Sequence, residues 1–453
     1  MKLPLAPPDP WHVLERSADS FKKIFAAGVL PTVGEKYRHW DTLRELTPPG
    51  DLTHEEWWAG IKLARQSLLR PLPLADSQGR PFAFAMPDPA SEMAHLIDQK
   101  ARGAITFPEL VANDQSRKRY LVSSLIEEAI TSSQLEGAST TARVAKEMIK
   151  SGRAPRNISE RMILNNYRAM SSMQGWSSDP LTPDRIYELH RILTADTLDD
   201  PSDAGRPQQP GDVRVAVVDR SDGKVLHQPP PAELLPERLE ALCRFANGAE
   251  TSGFMHPVIR SILVHFWLSY DHPFSDGNGR TARALFYWSM LRQGYWLTEF
   301  LSISRILKKA PAQYARSFLY TESDDRDTTY FLLYQLSVMC RAIDELHEYL
   351  ARKIREVRKA EELLRDTHLN HRQLAVIGHA LRNPDAEYTF RGHMTSHRVV
   401  YESARSDLLE LEKLGLLVRT QIGRQFVFRP ARDLSERLNV GKRGGGTFRA
   451  LQL

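Results

Sequence analysis

Nine residues, HPFSDGNGR at 272–280, constrain this chain more than any others. They crowd an imidazole, a carboxylate, an amide, a guanidinium and two glycines into a stretch too turn-prone to continue a helix. Before the loop, Val258, Ile259, Ile262, Leu263, Phe266, Trp267 and Tyr270 recur at helical spacing. After it, TARALFYWSMLRQG is apolar on nearly every face, as a buried helix is. The fold must therefore bury two helices and keep their polar junction open to a ligand. The glycines let backbone come close to that ligand. The amides of Gly277, Asn278, Gly279 and Arg280 open the second helix, where orphan N–H groups and the helix dipole favour an anion. Arg280 and Arg283 add fixed positive charge, so a polyphosphate is expected. Asp276 would repel it unless a divalent cation lay between them, which implies Mg²⁺. His272 stands at the mouth, where a neutral imidazole takes a proton from an attacking hydroxyl.

Composition sets the bounds. At 453 residues, 42 % hydrophobic and 26 % charged, the chain has room for two or three globular domains. No apolar run reaches the roughly 18 residues of a membrane span. The N-terminal MKLPLAPPDPWHV lacks the apolar core of a secretory signal. Cys243 and Cys340 make no disulfide framework. A cytoplasmic protein without a membrane partner is expected.

The junction resembles the motif of the Fic (filamentation induced by cAMP) family, H-x-F-x-[DE]-G-N-G-R-x-x-R. His272, Phe274, Asp276, Gly277, Asn278, Gly279, Arg280 and Arg283 fill every position. The same stretch satisfies G-x-G-x-x-A through Gly277, Gly279 and Ala282, but that dinucleotide fingerprint needs a preceding strand and here a helix precedes. The resemblance implies a mainly α fold: a Fic-type helical bundle with a β-hairpin flap. It implies transfer of AMP from ATP, with Mg²⁺, to a hydroxyl side chain (Ser, Thr or Tyr) of a target protein. In that scheme His272 is the base and Asp276 the metal ligand. Gly277, Asn278, Gly279, Arg280 and Arg283 hold phosphates, Tyr314 lines the adenine pocket, and Phe274 anchors the loop in the core.

Upstream, Ser132-x-x-x-Glu136-Gly137 resembles the family's inhibitory motif [ST]-x-x-x-E-[GN]. It lies on a helix whose Leu121, Leu125, Ile126, Ala129 and Ile130 form an apolar face, with Gly137 as C-cap. The resemblance implies that Glu136 pairs with Arg283 and misaligns ATP, and that release brings self-modification. Val213, Val215, Val217 and Val218, a turn closed by Asp222-Gly223, then Val225, Leu226 and His227 read as a hairpin. The family carries its flap at this point, which implies target clamping by strand addition through Val215, Val217, Val225, Leu226 and His227. Two positions depart from the family. Asp271 replaces an apolar residue, and either faces water or orients His272. Thr321 stands where an asparagine contacts adenine.

Residues 1–92 read as a helical region with helices in WHVLERSADSFKKIFAAGVL and HEEWWAGIKLARQSLL, the latter capped by Thr53, that packs on the core or presents a partner surface. The core spans 93–350 and a charged linker helix 351–365. Residues 366–432 read as three helices and a wing, with a Gly423-Arg424 turn before Phe426 and Phe428, which resembles a winged helix-turn-helix. Residues 433–453 read as a flexible tail. Residues 366–453 hold 14 Lys+Arg against 9 Asp+Glu, an excess equal to the whole chain's formal charge of +5. That excess suits DNA, whereas Glu402, Asp407, Glu410 and Glu412 on the expected recognition helix suit a docked protein. His393 and His397 have zinc-ligand spacing but no third ligand nearby. Three functions fit this sequence: AMP transfer, AMP removal at the same site with Glu136 positioning water, and transcription regulation with the core as nucleotide sensor. Each is compatible with a homodimer.

Overall fold

The computed structural model describes residues 3–16, 18–102, 114–219, 223–249, 253–364, 367–423 and 425–443. The chain divides into two compact units, residues 1–346 and 347–453.

In the first unit, α1 (Pro10–Glu15) and α2 (Ala18–Ala26) precede α3 (His54–Gln66). Thr53 and Glu56 close a capping box on α3, each side chain accepting from the other's backbone amide. Trp57, Trp58 and Ile61 of α3 bury against Val13, Ile24 and Leu43. On the same helix Lys62 Nζ lies 2.7 Å from Asp324, and Arg65 donates to the Tyr330 hydroxyl at 2.8 Å. Residues 1–92 thus pack against later helices of the same unit. They also hold a hairpin, β1 (Arg70–Ala75) with β2 (Pro81–Phe84), where only helices were expected. Pro71 and Pro73 hide it, since proline is scarce in strands except at edges. The signal that remains is alternating burial of Leu72 and Leu74, and of Phe82 and Phe84, about a turn closed by Asp76 and Gly79.

The helices α4 (Asp88–Ile97), α5 (Asp114–Leu135), α6 (Ala142–Ser151), α7 (Ile158–Trp176) and α8 (Pro183–Thr194) follow. Leu125, Ile126, Ala129 and Ile130 of α5 are buried, the last three in one cluster with Met148 of α6 and Ile163 of α7. The flap is shorter than the valine pattern suggested. Only β3 (Val217–Val218) and β4 (Val225–His227) pair, with an irregular register, and Val213 and Val215 precede the strand. Asp222 of the expected turn lies outside the described residues, and Gly223 adopts φ +71°.

Then come α9 (Leu235–Ala246), α10 (Pro257–Asp271), α11 (Asn278–Arg292), α12 (Ile303–Lys309), α13 (Pro311–Ser323) and α14 (Thr329–Leu364), the last of which belongs to the second unit from His347 on. The pair α10 and α11 is buried along nearly its whole length and forms the centre of the unit. Around Phe266 of α10 the rings of Phe82, Phe318 and Phe331 stack or meet edge-on. Helix α14 runs 36 residues without a break at 350, because neither proline nor glycine interrupts it, so the expected linker 351–365 is in large part its end.

The second unit contains α15 (His371–Arg382), α16 (Phe390–His397) and α17 (Tyr401–Lys413), followed by β5 (Leu417–Ile422) and β6 (Gln425–Pro430) in a six-pair antiparallel hairpin. Tyr388 bridges to Phe428. Arg424 of the hairpin turn is outside the described residues. Asp407, one of the acids on the expected recognition helix, is turned inward. It accepts from Arg372 Nε at 2.7 Å and Asn370 at 2.8 Å, with His393 Nε2 at 3.0 Å, so His393 is a core histidine. The start of the expected flexible tail is a helix, α18 (Leu434–Arg443), because Leu434 and Leu438 lie four apart and enter this unit's core. Residues 444–453 lie outside the described residues.

Candidate active site

Helix α10 ends where the polar loop begins. His272 is its C-cap, in the left-handed region at φ 44°, ψ 55°. Its ring is oriented from inside the loop. Asn278 accepts from the Phe274 amide at 2.9 Å and donates to the Phe274 carbonyl at 2.8 Å, which fixes its oxygen and nitrogen. That nitrogen also lies 3.2 Å from His272 Nδ1, where it can only donate. The neutral ring therefore carries its proton on Nε2. Burial, followed by the charges of His227 and Arg214, brings the pKa of His272 down to about 4.

The loop is held from behind by a residue the sequence did not flag. His190 of α8 stacks on Phe274 with ring centroids 3.7 Å apart. Its Nε2 donates to the Asp276 carbonyl at 2.8 Å, and its Nδ1 accepts from the Gly205 amide at 2.9 Å. Gly277, at φ +81°, caps α11 at its N-terminus; a Cβ there would come within 2.7 Å of Thr194. The Asp276 carboxylate is left outward, 60 % exposed and 3.3 Å from Arg280 Nη2. Arg280 is buried, donates from Nη1 to the Leu193 carbonyl at 3.0 Å, and its Nε has no partner among the described residues. An orphaned buried donor beside open helix amides is what an anion site requires.

Arg283, one turn on, is met by α5. Its Nε donates to Ser132 Oγ at 2.9 Å, and its Nη2 to the Ser132 carbonyl at 3.0 Å and to Glu136 Oε1 at 2.8 Å. Gly279 makes this approach possible, since any Cβ would collide with the Glu136 carboxylate. Gly137 follows at φ +102°. What seats α5 is polar as well as apolar. Glu128, wholly buried, accepts from both the hydroxyl and the amide of Ser304 and from the Ser302 hydroxyl, at the start of α12.

These groups open on a cavity of about 210 Å³. Glu136, His272, Gly279 and Arg283 line it, with Val217, Leu226 and His227 from the flap and Tyr314, Phe318 and Glu322 from α13. The Tyr314 hydroxyl lies 2.8 Å from Nε2 of the buried His265. Thr321 does not take part: it is fully buried and its hydroxyl donates back to the Ser317 carbonyl, so Glu322, one residue on, faces the cavity instead. Val215 and Val225 lie outside the lining. His227, expected to face a target, turns inward because two acceptors wait for it, the Tyr270 carbonyl and Glu322. Asp271 does not face water. It is buried, and its carboxylate accepts from Arg238 Nε at 2.8 Å and Trp267 Nε1 at 3.0 Å. Among the described residues no cluster of three or more His, Cys, Asp or Glu could hold a metal alone.

The family model of the Fic/DOC family matches residues 180–290, from the start of α8 almost to the end of α11. Residues 180–290 form a Fic/DOC family domain. Relatives extend the Fic likeness beyond it. "Protein adenylyltransferase Fic" of Nematostella vectensis is 27 % identical over 210 residues, 45 % of each chain. "Protein adenylyltransferase fic-1" of Caenorhabditis elegans is 33 % identical over 117 residues, 26 % of this chain and 20 % of its own. The chain thus spans less than half the length of these relatives. A solved Fic family protein from Desulfovibrio desulfuricans shares the fold, with TM-score 0.52 at 18 % identity over 76 % of this chain and 97 % of its own.

Proposed function

We propose that the chain is a protein adenylyltransferase, restrained by Glu136, that moves AMP from ATP onto a hydroxyl of a target protein. The observation that carries this reading is the contact of Glu136 with Arg283 inside the cavity that His272 also lines. Arg283 and the α11 amides suit the β- and γ-phosphates, and the apolar wall of Tyr314, Phe318 and Leu226 suits a base. The attacking oxygen bonds the α-phosphorus, the bond to the bridging oxygen breaks, and pyrophosphate leaves. The hydroxyl proton passes to His272 Nε2. That transfer needs the ring proton on Nδ1, so the Asn278 contact described above belongs to a resting site. The outward Asp276 carboxylate fits Mg²⁺, which is commonly held by one or two carboxylates together with substrate phosphates. When bound, that ion would neutralise phosphate charge. Among the described residues no helix is long and apolar enough to cross a membrane.

The test is incubation with Mg²⁺ and ATP labelled at the α-phosphate. A carboxylate–guanidinium contact contributes about 1.5–3 kcal/mol, so Glu136→Gly should raise AMP incorporation into the chain itself roughly ten- to a hundredfold. Adding His272→Ala should abolish it. No incorporation by the single variant, with its helical content intact, defeats the reading.

A further inference from the structure

Helix α10 ends in carbonyls that no helical amide can reach. Three in succession, those of Tyr270, Asp271 and His272, are satisfied by cations from the two legs of the flap. On the leading leg, Arg214 Nη2 donates to the Asp271 carbonyl at 2.7 Å and to the His272 carbonyl at 3.1 Å. On the returning leg, His227 Nε2 donates to the Tyr270 carbonyl at 2.7 Å. The other nitrogen of His227, Nδ1, lies 2.9 Å from Glu322 Oε2 on α13. Both ring nitrogens face acceptors, so protonation of the ring satisfies both at once, and the helix C-terminus favours a cation there.

We propose that His227 and Glu322 form a latch that ties the inner strand of the flap to both walls of the cavity and so fixes the strand's height over His272. The proposal rests on the adenylyltransferase reading and names a positioning pair within that site. Val217, the register partner of His227, lines the cavity, so movement of this leg moves the surface against which a target segment would lie. The groups that face His227 are Glu322 from α13 and Tyr270, Asp271 and His272 from the end of α10, with Asp271 already paired to Arg238 of α9. Burial pulls the pKa of His227 down, but Glu322 and the Tyr270 carbonyl outweigh it and leave it above the ordinary histidine value. While Glu322 is ionised, the latch is closed below that raised value and opens as pH rises through it. Its charge also helps keep His272 neutral.

The test uses the full chain in the Glu136→Gly background, with Glu322→Gln and His227→Gln singly and together. Three quantities are read: amide exchange at Val218 and Val225, AMP incorporation from labelled ATP between pH 6 and 9, and ATP affinity by calorimetry. Each single variant should speed flap exchange and lower incorporation by at least about tenfold, with ATP affinity nearly unchanged in His227→Gln and the double variant no worse than either. Glu322→Gln should also move the fall of incorporation with rising pH to a lower pH. Unchanged flap exchange, an unmoved pH profile or a parallel loss of ATP affinity in His227→Gln overturns the latch. If the parent variant incorporates no AMP, the function reading fails, while the exchange measurement still decides whether the latch exists.

Discussion

Arg283 has five N–H donors on one rigid fork, and three of its contacts are made to α5. Two of the three go to Ser132, so removing Glu136 does not set the guanidinium adrift. Release therefore presents an already aimed arginine, and Arg283→Ala should cancel the gain of Glu136→Gly. A double variant as active in AMP incorporation as the single one would remove Arg283 from the phosphate site. His272 gives the pH sign. With its pKa held down to about 4, the ring stays neutral through the physiological range and is protonated only as pH falls toward that value. Incorporation by Glu136→Gly should therefore show no acid limb near pH 6.5. A fall centred at the ordinary histidine value would mean an exposed, ordinary ring.

At the scale of elements, α5 is seated twice, by an apolar stripe and by Glu128. Glu128→Ala leaves the amide and hydroxyl of Ser304 unpaired in a buried place, which costs about 1–3 kcal/mol. The expected result is a lower melting temperature together with raised basal AMP incorporation, since the inhibitory helix loosens before the bundle does. Loss of stability with no gain in incorporation would show that Glu128 supports the bundle alone. The sequence revealed the stripe and not the carboxylate, because Glu127 and Glu128 are neighbours of one type and only the fold says which is enclosed. The polar loop was legible as the junction of two buried helices, since eight specified positions at fixed spacing allow few other chemistries. The flap was legible in place but not in length: valine alternation looks the same whether or not a partner strand is present. Asp271 and Arg238 lie on separate helices, His190 and Phe274 on a helix and a loop, and no local pattern joins either pair. The first hairpin was hidden by its prolines.

At the scale of the molecule, the N-terminal region is bound into the first unit by buried charge. Lys62 and Arg65 of α3 meet Asp324, which ends α13, and the Arg65 guanidinium lies 3.5 Å over the Tyr37 ring. Asp324→Ala would leave Lys62 enclosed with only the more exposed Asp325, at 3.1 Å, a loss of up to about 3–5 kcal/mol. Urea unfolding of the full chain should show a midpoint lowered accordingly. Because α13 carries Tyr314 and Phe318, ATP affinity should fall with it. An unchanged midpoint would mean that the region only rests on the core.

Gly279 has the last consequence. The hollow above it admits the Glu136 carboxylate, on the proposed function it also admits a phosphate, and a Cβ on residue 279 would collide with the carboxylate. A chain that lost this hollow to escape restraint would lose part of its nucleotide seat in the same mutation. Susceptibility to being switched off is thus inherited along with the capacity to work. A permanently active descendant is reached far more readily by changing Glu136, on another helix, than by any change in the loop itself.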